Sequence, residues 1–518
     1  MQQRRAGILV PLFSVYSQKS LGIGEFDDLS LLVDWCVQTG NTIIQLLPMN
    51  EMGAVACPYD SISSFALEPV YINLRDIPAA SHVVMKRQID NLQQSFTTDT
   101  RYVDYRLKGE KLRLLWELFS YEGRMHSEEC KRFVGENAFW IDDYALYKVL
   151  KEINQGKPWY EWEAPFRDRH EDGLDQIRRT HQEAYIFNQW VQWRLYEQFS
   201  KVKRYAEEQQ VRIKGDLPIL VSRDSADVWA HKELFKLDLA SGAPPDMYCA
   251  KGQRWGMPPY NWHAIAAKKY RYIKEKLRYA ESFYHLLRID HVVGLFRIWV
   301  IPVSEPLDNQ GLHGFYDPPD EHLWGRHGRT ILTHMKEDTH VSFCGEDLGT
   351  IPDVCTQTLK EFSIPGIDVQ RWTKGWTSTH DFLPSEEYRS LAVAVLSTHD
   401  TPNWVAWWNY EAGTVDEAKF MRMCEGRIDY RAVRDRLFDP NLSRYGRLRW
   451  LSSVTSVGML ASILGKPENE IQDFIEAYLN TFQEKEKLWK SWGISRPFQE
   501  TADASLVRDA LQAIFHTP

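Results

Sequence analysis

The sequence predicts an α/β fold, most simply a (β/α)8 TIM barrel enlarged by inserted helical and loop subdomains, and three observations predict it. Short runs rich in β-branched and aliphatic residues recur along the chain. Helical stretches separate them. The later runs end in acidic and basic residues, and the C-terminal ends of barrel strands are where such enzymes place their chemistry. A doubly wound parallel sheet is the alternative that the same alternation allows.

Taken in order, the strand candidates are 7–15, 41–48, 211–220, 286–293, 341–348 and 391–400. Each is rich in β-branched and aliphatic residues and reads as a parallel strand buried on both faces in place of a half-exposed one. Residues 27–38 carry Leu29, Leu32, Val33 and Cys36 at helical spacing, and 356–361 read as a further helix. The gap from the second strand to the third is too long for one crossover. It is helical and rich in aromatics, with Leu112, Leu115, Trp116 and Phe119 on one face and Phe187, Trp190, Val191, Leu195, Phe199 and Val202 on another. Residues 242–262 hold four prolines, three glycines and two tryptophans, which predicts a long loop in place of regular structure. The expected organisation is 1–74 as the first part of a catalytic barrel, 75–209 as a mainly helical insertion, and 210–518 as the remainder, including a substrate-groove loop at 242–262.

Composition narrows the class. The 518 residues carry 62 Lys+Arg against 71 Asp+Glu, a net charge of -9, so no basic face is implied and nucleic acid is not an expected partner. Hydrophobic residues at 43% and charged residues at 26% exclude disordered, collagen-like and coiled-coil chains. Twenty tryptophans are an excess that suits either heavy packing or a protein that stacks sugar rings. The seven cysteines are scattered and never spaced as C-x-x-C, which predicts thiols in a reducing compartment and no zinc site. No apolar stretch approaches membrane-spanning length. Pro11 interrupts the short N-terminal apolar run and no A-x-A site follows, so neither a membrane nor a secretory signal is expected, and the cytoplasm is the expected location.

Four acidic residues end the later strand candidates: Asp216, Asp290, Glu346 and Asp400. An aspartate after a strand is most often a turn former or helix cap. Four on successive barrel strands converge on one cleft, with Arg288, His291 and His399 as donors. Magnesium is the other chemistry that such carboxylates serve, but an arginine two residues from the best ligand does not suit a metal cage. No metal or cofactor is expected. Paired carboxylates match glycosidic bond cleavage, which needs an anion at the anomeric carbon and a proton at the leaving oxygen. On this reading Arg288 keeps Asp290 ionised, and Glu346 sits in a drier setting with a raised pKa. No G-x-S-x-G or P-loop pattern is present.

The segments GIGEFDDL, CPYDSISSFALEPVYINL, KGDLPILVSRDSADVW, APPDMYCAKGQRWGMPPYNW, LRIDHVVGLFRIWVIP, GEDLGTIP and STHDT, in order from about residue 8 to about 408, resemble the 4-α-glucanotransferases, the amylomaltase or disproportionating-enzyme family (glycoside hydrolase family 77). The last hundred residues carry the resemblance poorly. It implies an α-amylase-type barrel, no cofactor, and transfer of α-1,4-glucan segments among maltooligosaccharides and glucose through a covalent intermediate. By motif, Asp290 matches the nucleophile, Glu346 the general acid/base, and Asp400 a third carboxylate holding sugar hydroxyls. Arg288, His291 and His399 match residues that orient Asp290 and bind the sugar at the cleavage point. Tyr59 and Asp60 resemble early contacts with the same sugar, Asp216 matches the strand-three aspartate, and Asp246, Gln253 and Trp255 fall in a loop that arches over the glucan, with Trp255 placed to stack a ring.

This sequence departs from the pattern at Cys57, Val292, Val293, Met247, Cys249, Ala250, Lys251, Met257 and Thr401, all near sugar subsites and none among the three carboxylates. Hydrolases of the same superfamily share those carboxylates, so transfer rests on the resemblance and on insertions able to cover a groove. A retaining α-glucan hydrolase is the alternative, and an inactive glucan-binding protein a further one.

Overall fold

A computed structural model describes residues 4–518 apart from Asp99, residues 246–248, Ala250 and Thr377. The chain divides into two compact units, Met1–Ile364 and Pro365–Pro518.

In the first unit β1 (Gly7–Leu9) is followed by α1 (Phe26–Thr39) and β2 (Ile43–Gln45). Pro11 lacks an N–H and ends the first strand early, so it covers only the start of the 7–15 run. Helix α1 starts with a capping box between Glu25 and Asp28, ends on Gly40 in the left-handed region, and buries Leu29, Val33 and Cys36. Among the described residues seven α-helices follow: α2 (Val83–Ser95), α3 (Arg106–Tyr121), α4 (Glu128–Glu136), α5 (Ile141–Ile153), α6 (Ala164–Arg167), α7 (Glu171–Thr180) and α8 (Gln182–Glu208). In α8 Trp190, Val191, Leu195, Phe199 and Val202 are buried as expected, and Phe187 is partly buried. In α3 the inward face differs from the expected one: Leu107, Leu114, Leu115, Leu118 and Phe119 are buried, whereas Leu112 and Trp116 are only partly so. The reason is Lys111, a fully buried core position, whose ammonium donates to Glu25, Val70 O and Ile72 O and so turns the helix.

Then come β3 (Arg212–Leu217), α9 (Ala226–Ala230), β4 (Leu239–Ala243), β5 (Gln253–Arg254), α10 (Trp262–Ala267), α11 (Arg271–Ala280), β6 (Leu286–Ile289), β7 (Ile298–Pro302), β8 (Phe315–Asp317), α12 (Glu321–Glu337), β9 (Ser342–Gly345) and α13 (Asp353–Glu361). Strands β1, β2, β3, β6 and β9 form one parallel sheet in that order. The helices between β2 and β3 share a continuous apolar core with it. The 242–262 segment is more regular than expected, because β5 pairs antiparallel with β4, which pairs with β7, and β7 with β8. Glycine permits this: a Cβ at Gly242 would lie 2.0 Å from the Gln253 carbonyl oxygen.

The second unit holds a parallel pair, β10 (Gly366–Val369) and β11 (Ala392–Val395), and an antiparallel pair, β12 (Thr414–Asp416) and β13 (Arg447–Arg449). Two apolar clusters organise it. Trp404, Trp407 and Trp408, which follow Asp400 in the sequence, are buried in one of them with Trp489. Among the described residues no helix is long and apolar enough to cross a membrane.

Candidate active site

Register positions the first-unit residues. Asp216 on β3 is the direct partner of Arg288 on β6, and Ile289 pairs with Gly345, so Asp290 and Glu346 are each one residue past paired strand ends. Alternation along β6 then puts Arg288 and Asp290 on the same side. The Arg288 guanidinium, almost fully buried, joins the three acids: Nη1 is 2.7 Å from Asp216 Oδ2 and 3.0 Å from Asp290 Oδ1, and Nη2 is 2.9 Å from Glu346 Oε2. Tyr59 Oη donates to Asp216 Oδ2 at 2.7 Å. His291, left-handed at φ 45°, turns its backbone N–H onto Glu346 Oε2 at 2.8 Å. That conformation is costly for a residue with a Cβ and persists here where a carboxylate accepts the N–H.

The Trp255 ring stands edge-on to His291, centroids 5.0 Å apart at 85°. Its Nε1 donates to Gln253 Oε1 at 2.9 Å. Asp60 follows Tyr59 in a turn closed by its N–H on Cys57 O at 3.0 Å. The structure therefore brings together Tyr59, Asp216, Gln253, Trp255, Arg288, Asp290, His291 and Glu346, with Asp60 beside Tyr59. Asp246 lies outside the described residues, as do Met247 and Ala250. His399 and Asp400 belong to the second unit, in the turn after β11, with His399 Nε2 3.2 Å from Asp400 Oδ1.

The proton is placed the other way round from expectation. Asp290 is pushed well above the usual carboxylate range, first by burial and then by the charges of Asp216 and Glu346, which outweigh Arg288. Glu346 is buried too, but Arg288 and the His291 N–H outweigh that and hold it below its ordinary value. The two acids act on each other and so titrate as a pair, Asp290 on the high side and Glu346 on the low side. The spacing of Arg288 from Asp290 is visible in the sequence. That Asp216 divides the same guanidinium is visible only once β3 and β6 pair. Burial lowers the pKa of His291.

The family model for 4-alpha-glucanotransferases matches residues 10–514. The chain belongs to the 4-α-glucanotransferase family. The match runs through the last hundred residues, where motifs alone carry little resemblance. The 4-alpha-glucanotransferase of Chlamydia caviae is 36% identical over 409 residues, covering 78% of this chain and 75% of the relative. That of Thermus thermophilus is 32% identical over 396 residues, covering 74% and 75%. Among solved structures, the amylomaltase from Streptococcus agalactiae in complex with acarbose aligns with a TM-score of 0.67 at 23% identity, over 89% of this chain and 98% of that one. The amylomaltase from Corynebacterium glutamicum aligns at 0.70 and 22% identity, over 98% and 65%. The fold class of this 4-α-glucanotransferase family member is the (β/α)8 class predicted from sequence, and the doubly wound alternative falls, because the parallel strands follow one another in chain order with no reversal.

Sequence reasoning overlooked Arg371 of the second unit, buried just past β10 beside the turn that carries His399 and Asp400. The short IPGIDV run before it was a detectable strand signal.

Proposed function

We propose that the protein transfers α-1,4-glucan segments from a maltooligosaccharide or glucan donor to a glucose or oligosaccharide acceptor by a retaining double displacement. Asp290 is the nucleophile, Glu346 the general acid and base, and Asp400 the third carboxylate, which holds sugar hydroxyls. Tyr59, Asp60, Asp216, Asp246, Gln253, Trp255, Arg288, His291 and His399 bind the glucan or orient these three. The observation that carries this reading is the Arg288 guanidinium, which bridges Asp290 at 3.0 Å and Glu346 at 2.9 Å and so holds the two carboxyls at one place. Two carboxyls held by one guanidinium suit retention, in which they flank the sugar about 5–5.5 Å apart, better than inversion, which needs about 6.5–9.5 Å to admit a water.

In the first half-reaction an ionised Asp290 oxygen bonds to the anomeric carbon, the bond to the leaving oxygen breaks, and that oxygen takes the proton from Glu346. In the second half, Glu346 takes the acceptor's hydroxyl proton as that oxygen displaces Asp290 from carbon. The five thiols of Cys36, Cys57, Cys130, Cys355 and Cys424 support a reducing, cytoplasmic location.

Incubation with maltotriose alone is expected to release glucose together with oligomers longer than maltotriose, and Asp290→Asn to release neither. Products shorter than maltotriose only would make the protein a hydrolase. Binding without turnover in both forms would make it an inactive glucan-binding protein.

A further inference from the structure

Asp400 presents a positioning problem of its own. Its side chain is 65% exposed, so it takes its place from the turn that carries it and not from burial. That turn, Ser397 to Pro402, follows β11. Because Val369 pairs with Val395, the residues just past β10 are neighbours of the residues just past β11. Arg371 is the residue in that position, two beyond the end of β10 and 3% exposed.

Its Nη2 donates to three acceptors that flank His399 and Asp400: Ser397 Oγ at 2.8 Å, Pro402 O at 3.2 Å, and Thr401 Oγ1. The feet of the turn are also tied to each other. Ser397 Oγ donates to Pro402 O at 2.9 Å, and Thr401 Oγ1 donates to Thr398 O at 3.1 Å. Trp372 and Trp407 hold the guanidinium itself, with ring centroids 5.4 and 5.9 Å from its carbon. A hydroxyl has one donor and two acceptor sites, so Thr401 can accept from Arg371 while donating to Thr398 O. Valine at that position keeps the shape and loses both bonds.

We infer that Arg371, acting through Thr401, is a positioning residue that sets the place of Asp400 for glycosyl transfer. The inference rests on reading Asp400 as the third carboxylate. Interactions made in the transition state are sensitive to small displacements, of the order of 100-fold for about 1 Å. A loosened turn therefore slows turnover while leaving substrate binding largely as it was.

The test compares Thr401→Val, Thr401→Ser, Arg371→Met and Asp400→Asn in maltotriose disproportionation, with thermal melts to confirm folding. Thr401→Val and Arg371→Met are expected to lower kcat by about 10- to 100-fold with KM within about twofold. Thr401→Ser, which keeps the hydroxyl, is expected to stay within about threefold of the parent. In an Asp400→Asn background, assayed at high protein concentration, Thr401→Val should cost nothing more, because the residue it acts through is already gone. An unchanged kcat in a folded Thr401→Val, a Thr401→Ser as slow as Thr401→Val, or a full additive loss in the Asp400→Asn background overturns the inference. Asp400→Asn at parental kcat would instead overturn the reading of Asp400, and the inference with it. Should Arg371→Met fail to fold, the Thr401 pair decides the matter alone.

Discussion

At the scale of single residues, the site is a distribution of one positive charge among three acids. Asp216 and Asp290 share one nitrogen of Arg288, while Glu346 has the other together with the His291 N–H. After burial, Asp216 is the largest influence raising Asp290. Asp216→Asn removes that negative charge and leaves Arg288 more fully to Asp290, and both effects lower the Asp290 pKa. The active state carries one proton on the pair, so kcat/KM falls in alkali as the last proton leaves. The alkaline limb of the Asp216→Asn profile should therefore lie at lower pH than the parent's, with the acid limb moving less. An alkaline limb that stays in place or moves up would contradict this charge assignment. Sequence shows which acids are present, since Asp290 and Glu346 directly follow strands, but which of them is raised and which lowered depends on cross-strand neighbours about 70 and 55 residues away.

At the scale of elements, the loop that presents Tyr59 and Asp60 is held by a buried carboxylate. The Glu51 backbone pairs with Ala66 and Ile62, and its side chain accepts from Lys148 Nζ at 2.7 Å, Lys108 Nζ at 3.1 Å, and Tyr144 Oη. Helices α3 and α5, which carry these three donors, thereby reach the loop. Burial alone would raise the Glu51 pKa; Lys108 and Lys148 outweigh it and hold the group at about 2. A folded pKa below the unfolded value, about 4.3, stabilises the protein above that value and loses the contribution as pH falls towards 2. Glu51→Gln should accordingly cost about 1–3 kcal/mol in urea unfolding at pH 7, with the deficit shrinking as pH falls below about 4. It should also raise KM, since Tyr59 and Asp60 ride on the loop. A deficit that does not vary with pH would remove the ionic account. The strands ending in acids were legible as runs rich in β-branched and aliphatic residues. Strand β10 left only the short IPGIDV run as a signal, because it is four residues long and carries Asp368, whose partner is Arg389. Strand β5 was hidden in the 242–262 segment for a related reason, since two residues become a strand only by pairing with β4.

Over the whole molecule, tryptophan and charge show how far composition reaches. Of 20 tryptophans, 12 are buried, among them Trp190, Trp193, Trp404, Trp407 and Trp408, so the excess is chiefly packing. Trp255 is a partly exposed exception that stands beside His291. Composition could not separate these two uses, because burial is decided by which elements meet. The net charge of -9 is informative in another way. A protein that handles a charged ligand gains encounter rate from its field, by about 10- to 1,000-fold, and loses it as salt screens that field. A neutral glucan feels no such pull, and the short, largely buried ion pairs around Arg288 lie inside the reach of screening, about 10 Å at 0.1 M and about 3 Å at 1 M. kcat/KM for maltotriose should therefore change by less than about twofold between roughly 0.05 and roughly 0.5 M sodium chloride, as measured by initial rates of glucose release. A fall of about tenfold over that range would mean that a charged ligand, or an exposed ion pair at the groove, controls turnover.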